Sequence, residues 1–160
     1  MDRQNRGFSI VELLIVITML AIIAAIAVPR LIDASEDARS SALGTDLQML
    51  RRQVVLYKMQ HNGRGPHLDE SGALDKPNLP TRLTGRTTQQ GKLDDNGAYG
   101  PYMKQWPVNP YADGAVAGSI TFGTQTAPPR DGATGWYYNT TTCVFSANTT
   151  EGGEELDPSN

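Results

Sequence analysis

The hydrophobic positions follow two different rules along the chain. From Phe8 to Val28 nearly every residue is apolar, with no Gly and no Pro. That run matches the roughly 20 residues an α-helix needs to cross a bilayer. Backbone hydrogen bonds inside such a helix satisfy its polar groups in hydrocarbon. Past Pro29 the apolar residues thin out. Leu43, Leu47, Leu50, Val54 and Tyr57 step by four and three, which is one stripe on a helix. Asp37, Arg39, Asp46, Arg51, Arg52 and Lys58 occupy other faces. The pattern predicts one long helix, apolar all round in its first half and amphipathic in its second. Pro29 lacks an amide donor and is expected to kink or loosen it. His61-Asn62-Gly63 is a stop signal.

Beyond Gly63 the periodicity breaks into short pieces. Residues 64–88 are loop-like, with room for one short helix over Asn78–Thr84. Asp94-Asp95-Asn96-Gly97 is a turn signal. The stretch from Gly100 to Pro110 is too rich in proline for a central strand. Ser119–Phe122 alternates as a strand does. Trp136-Tyr137-Tyr138 and Cys143–Ala147 read as two more strands, joined by Asn139-Thr140-Thr141-Thr142. The tail from Thr149 is acidic and is expected to fray. These elements predict an α+β fold, a long amino-terminal helix packed on a small antiparallel sheet. The expected divisions are 1–7, 8–28, 29–61, a head over 62–148 and a tail over 149–160.

Charge and composition narrow the chemistry. The 160 residues carry a formal net charge of −3, which is no nucleic-acid footprint. The single cysteine, Cys143, cannot make an internal disulfide and is expected as a small apolar residue in a strand. His61 and His67 have no partner at metal-ligand spacing and are expected at the surface. Asn139 and Asn148 begin N-x-[ST] triplets that short polar strings produce by chance. Trp106, Trp136, Tyr137 and Tyr138 fit a sheet core better than a binding platform. No phosphate loop, paired metal motif or nucleophile elbow is present, so an enzyme is not expected.

One residue breaks the apolar run. Glu12 places a carboxylate where insertion costs on the order of 2.5–3.5 kcal/mol. A cationic partner arises if the chain is cut after Gly7. Phe8 then carries an α-amine with a pKa of about 7.7–8. Positions 8 and 12 are one helical turn apart. Within a chain the two charges are neighbours. Between chains the same pairing sets a register and offsets much of the desolvation of each charge. Arg3 and Arg6 precede the run and favour a cytoplasmic amino terminus. Ala25-Ile26-Ala27 offers a competing site, cleavage before Val28 as in a secretory signal. Its apolar core would be unusually long and would contain an acid.

Arg6-Gly7-Phe8-Ser9-Ile10-Val11-Glu12-Leu13-Leu14 resembles the class III signal of type IV pilins and type II secretion pseudopilins. The resemblance implies that a prepilin peptidase cuts after Gly7 and methylates Phe8, and that Glu12 steers assembly. Pro29 matches a proline common in that family. The stretches YGPYMKQWPVNPY and GWYYN are similar to heads of the G-type pseudopilin class. Such heads commonly hold calcium through late acidic loops. Asp113, Asp131, Glu151, Glu154 and Glu155 supply oxygens, without the family's ligand spacing, and solvated loop acids is the preferred reading.

The expected function is a structural subunit of a type II secretion pseudopilus. The implied partners are prepilin peptidase, identical or related pilin-like subunits, an inner-membrane assembly platform and lipid. The implied location is the bacterial inner membrane, single-pass with the head periplasmic, and then a periplasmic filament. A type IV or competence pilin shares the leader and helix. A membrane-anchored binding protein that never polymerises is a third possibility, and it predicts that Glu12 is dispensable.

Overall fold

The structure is a computed structural model that describes residues 9–150. Its elements are α1 (Ile10–Gln60), a 3-10 turn (Lys76–Asn78), α2 (Leu79–Thr84), a second 3-10 turn (Gly114–Val116), β1 (Ile120–Gly123), β2 (Trp136–Asn139) and β3 (Val144–Ala147). The chain divides into two compact units, the first ending at Ala38 and the second starting at Arg39.

In the first unit the helix continues through Pro29. The missing proline amide removes the bond otherwise given to the Ala25 carbonyl. Every residue from Ser9 to Ala38 is exposed. Thr18 satisfies its hydroxyl inside the helix, donating to the Ile15 carbonyl at 2.9 Å.

In the second unit the predicted stripe is the buried one. Leu43, Leu47, Leu50, Val54 and Tyr57 are the buried residues of α1. Full burial of each such side chain contributes about 1.5–3 kcal/mol relative to exposure. The helix ends where expected. Asn62 and Gly63 take φ of 55° and 80°, and the Gly63 amide donates back to the Lys58 carbonyl at 2.8 Å. Two left-handed residues in succession turn the chain off the helix axis, and Gly accepts that conformation without Cβ strain.

The sheet has the order β1-β2-β3. β2 and β3 are antiparallel, with Trp136 opposite Ala147 and Tyr138 opposite Phe145. β1 corrects the expectation of an all-antiparallel sheet, because it pairs with β2 in parallel, Ile120 beside Trp136. The segment between β1 and β2 is too long for a hairpin and returns the chain in the same direction. Trp136, Tyr138, Phe145 and Ala147 join the helix stripe, Leu79, Leu83 and Met103 in one core. The alternate residue Tyr137 is buried beneath the β1–β2 connection, where its hydroxyl donates to the Gln125 carbonyl at 2.7 Å. Arg51 donates from Nε to the Phe145 carbonyl at 2.9 Å, tying α1 to β3.

Cys143 is not in a strand. It is the last turn residue before β3, half-buried, with φ of 61°. The Asn139 side-chain oxygen accepts from the Thr141 and Thr142 amides, and the Cys143 amide donates to the Asn139 carbonyl. That closes a loop whose exit needs a left-handed residue. Thr149 is also buried, so the head extends through the start of the expected tail. Asn139 and Asn148 are buried and hydrogen-bonded, Asn139 to the Thr124 and Gln125 carbonyls, Asn148 to Asp131 and Thr134.

Candidate functional site

The residues singled out for chemistry lie at the start of α1. Gly7, Phe8, Arg3 and Arg6 fall outside the described residues. Glu12 is in the first turn of the helix and exposed, so its carboxylate has no protein surroundings among the described residues. An acid in the first turn also suits the partial positive charge of a helix amino terminus. Around it Ile10, Val11, Leu13, Leu14, Ile15 and Val16 all point outward. An apolar surface this continuous is not stable in water and must be covered by lipid or by other helices. The helix is long and apolar enough to cross a membrane by length and composition.

The head places the other candidates differently from the sequence expectation. His61 and His67 are buried. His61 stacks on Tyr57 with ring centroids 3.7 Å apart and planes 2° from parallel. Its Nδ1 lies 2.8 Å from the Tyr57 carbonyl and its Nε2 2.9 Å from the Thr87 hydroxyl. The carbonyl can only accept, so Nδ1 carries the proton and Nε2 accepts from Thr87 in the neutral ring. Burial depresses the pKa of His61. His67 meets the Tyr138 hydroxyl at 3.0 Å. Burial depresses its pKa too, with Lys58, Arg82 and Lys76 adding repulsion. Both rings are therefore neutral packing elements. Sequence reasoning missed them because the Gly/Pro-rich segment that carries them reads as a surface loop.

Arg82 explains how that segment becomes part of the core. Its guanidinium donates to the Gly91, Pro66 and Asp75 carbonyls and to the Asp75 carboxylate. The Asn78 amide also donates to Asp75, and that bond and Arg82 hold the Asp75 pKa below the usual carboxylate range. A single cation thus gathers three loop segments, a role that only the coordinates reveal. The aromatic residues are core or pack against it: Trp136 and Tyr138 are members, and Trp106 is half-buried beside Phe145 at 5.9 Å.

For a metal, the described residues contain no group of three or more His, Cys, Asp or Glu suited to hold one. Asp131 Oδ1 is engaged with the Ala133 amide and the Asn148 side chain. Asp113 is exposed before the second 3-10 turn. Glu151, Glu154 and Glu155 lie outside the described residues.

Comparison with known proteins points to one class. A family model described as "Prokaryotic N-terminal methylation motif" matches residues 2–28, which contain Gly7, Phe8 and Glu12. The chain is similar to type II secretion system core protein G of Dickeya chrysanthemi, at 35% identity over 50% of this chain and 53% of that protein. It is similar to core protein G of Aeromonas hydrophila, at 29% identity over 69% of this chain and 71% of that protein. A type IV major pilin of Neisseria gonorrhoeae is 28% identical over 68% of this chain and 58% of its own length. The match thus spans about half of the Dickeya relative. No solved structure matches. The chain thus carries the amino-terminal methylation motif. It is homologous to type II secretion system core protein G as well as to type IV pilins.

Proposed function

We propose that this chain is a structural, non-catalytic subunit of a type II secretion pseudopilus. Prepilin peptidase removes residues 1–7 and methylates Phe8. The helix over 8–28 spans the inner membrane with its amino terminus cytoplasmic, as Arg3 and Arg6 favour, and the head lies in the periplasm. Subunits then enter a filament as the Phe8 amine of one copy meets Glu12 of another, on an assembly platform in the same membrane. Residues 29–61 continue the helix into the head.

The observation that supports this reading most is the coincidence of three features in one segment. They are the matched methylation motif, an uncovered apolar helix, and a single acid one turn from the proposed new terminus. A charge desolvated in that position is strongly destabilising unless paired, and polymerisation supplies the pair. The identity to a core protein G reaches 35%, against 28% to the major pilin, which supports a secretion filament. The similarity to a major pilin supports a second reading, a type IV or competence pilus subunit, with the same leader and helix.

Mass spectrometry of the chain purified from membranes tests processing. A terminus at N-methylated Phe8 is expected. A terminus at Met1, or at Val28 after cleavage at Ala27, ends the proposal. Deleting the gene separates the two filaments. Exported proteins trapped in the periplasm mark the pseudopilus. Loss of a surface fibre or of DNA uptake, with secretion intact, marks the pilus.

A further inference from the structure

Arg30 closes the apolar run, and it is exposed with no hydrogen bond or ion pair among the described residues. No residue between Glu12 and Arg30 is charged. A rise of about 1.5 Å per residue sets the two about 27 Å apart along the helix. The hydrocarbon of a bilayer is about 30 Å thick, and tilt shortens the helical span further. The two backbone positions therefore do not stand outside the hydrocarbon together. Lipid phosphates decide which end yields. A guanidinium binds phosphate oxygens through paired N–H donors, whereas a carboxylate is repelled by them. Arg30 also has a long stem that carries its charge outward along the helix. The shortfall then falls on Glu12.

The residues after Arg30 fit the same placement. Asp33, Glu36 and Asp37 are all exposed, which suits water beyond the phosphate layer. Leu31 and Ile32 before them are 68% and 64% exposed. Their apolar surface draws the helix inward, so a charge is needed to hold its outer end. Cleavage after Gly7 removes Arg3 and Arg6 and leaves Arg30 as the side-chain cation next to the run. We propose that Arg30 binds a lipid phosphate at the periplasmic face of the inner membrane and so holds Glu12 just inside the cytoplasmic edge of the hydrocarbon. Arg30 is a positioning residue, and the inference rests on the membrane-spanning and polymerisation reading. A carboxylate held there has lost its water, so pairing with the Phe8 amine of another copy gains the most. Without the charge at position 30 the uncharged run extends to Ile32. The helix then slides toward the cytoplasm by up to about 4.5 Å. Glu12 regains water, and the gain from pairing falls.

Thiol accessibility reads the depth. A Leu13→Cys chain with Cys143→Ser is expressed in cells that process it but lack the assembly platform, so the monomer stays in the membrane. Inverted inner-membrane vesicles from those cells receive a membrane-impermeant maleimide. Labelling is expected to be slow with Arg30, several-fold faster with Arg30→Leu, and slow again with Arg30→Lys. Filament yield in cells with the platform should fall several-fold with Arg30→Leu and return with Arg30→Lys. A labelling rate unchanged by Arg30→Leu, or raised as much by Arg30→Lys, overturns the proposal. Lost yield without a change in labelling also overturns it and places Arg30 against an acid of a neighbouring copy. A raised rate with full yield overturns it too, because Glu12 then pairs regardless of depth. Thr141→Cys with Cys143→Ser, exposed on the head, separates these failures from that of the underlying reading. It should label in spheroplasts and stay protected in inverted vesicles. The reverse pattern, or a chain that washes off the membrane, ends the membrane-spanning reading itself.

Discussion

Leu14 and Leu50 belong to one helix and differ in everything around them. Leu14 is 55% exposed and Leu50 is 0% exposed. Around Leu14 nearly every position is apolar, Glu12 and Thr18 apart, so the helix has no polar face to turn to water. Around Leu50 the apolar positions form one stripe, and charged residues hold the rest. The stripe is stabilised within the chain, by β2, β3 and α2. The all-round apolar surface has no such cover among the described residues and must obtain it from lipid or from other helices. A single helix thus carries two kinds of stability, one from the chain itself and one from its surroundings. Substitutions in the two regions should fail in different ways.

The largest effect is expected at Glu12. In the proposed filament, Glu12→Ala removes the partner of the Phe8 amine and leaves that charge uncompensated. Assembly should fall on the order of a hundredfold, scored by filament yield, while the head's unfolding transition stays unchanged. An Ala variant that assembles normally would mean that register does not depend on this acid. It would favour the membrane-anchored binding protein over the filament subunit.

The mirror experiment is Trp136→Ala in the core. It should destabilise the head by about 3–5 kcal/mol, read by denaturant titration of the full chain in detergent. Membrane insertion of the amino-terminal helix should be unaffected. If the core substitution also blocks insertion, the two regions are not energetically separate and the contrast between Leu14 and Leu50 is misleading.

The regions differ also in how much of them could be read without coordinates. The helix was legible because its signals are local: an apolar run for one half, a stripe at spacing three and four for the other, Asn62-Gly63 at the end. β2 and β3 were legible for the same reason, as two apolar runs with a turn between them. The parallel pairing of β1 was not, since Ser119–Phe122 alternates in the same way whichever direction it runs beside β2. The burial of His61, His67 and Arg82 was not legible either. It depends on contacts between 64–91 and the helix that proline and glycine content alone describes as loop. The candidate site was legible as a motif, with Glu12 in place and its partners beyond the described residues.

A smaller loss is expected at the ion pair inside the loop segment. Asp75→Asn keeps an acceptor for Arg82 but removes the opposite charge from a nearly buried guanidinium. The remaining carbonyl partners limit the damage to about 1–2 kcal/mol. The same denaturant titration reads it, and α2 and the 64–75 segment should lose protection from hydrogen exchange first. A uniform loss across the head would show that Arg82 supports the whole core rather than the loop.

The smallest effect is one of pH, and it sharpens the comparison because the apolar helix lacks histidine altogether. His61 and His67 have depressed pKa values in the folded head, from an ordinary value of 6.5. Between those depressed values and 6.5 the unfolded chain binds more protons than the folded one. Stability therefore rises with pH through that window and falls as pH drops below 6.5. Asp75 also has a depressed pKa, from an ordinary 3.8, so its contribution is lost only at lower pH. Two windows result, one opening below pH 6.5 from the histidines and one opening below pH 3.8 from Asp75. His67→Phe keeps an aromatic ring beside Tyr138 and should flatten the upper window while leaving the lower one. The Tyr138 hydroxyl loses its partner in that variant, so about 1 kcal/mol of stability should be lost at pH 7.5. An unchanged slope below pH 6.5 in both His67→Phe and His61→Phe would mean that neither ring is held neutral by burial. The loop segment would then be open to water.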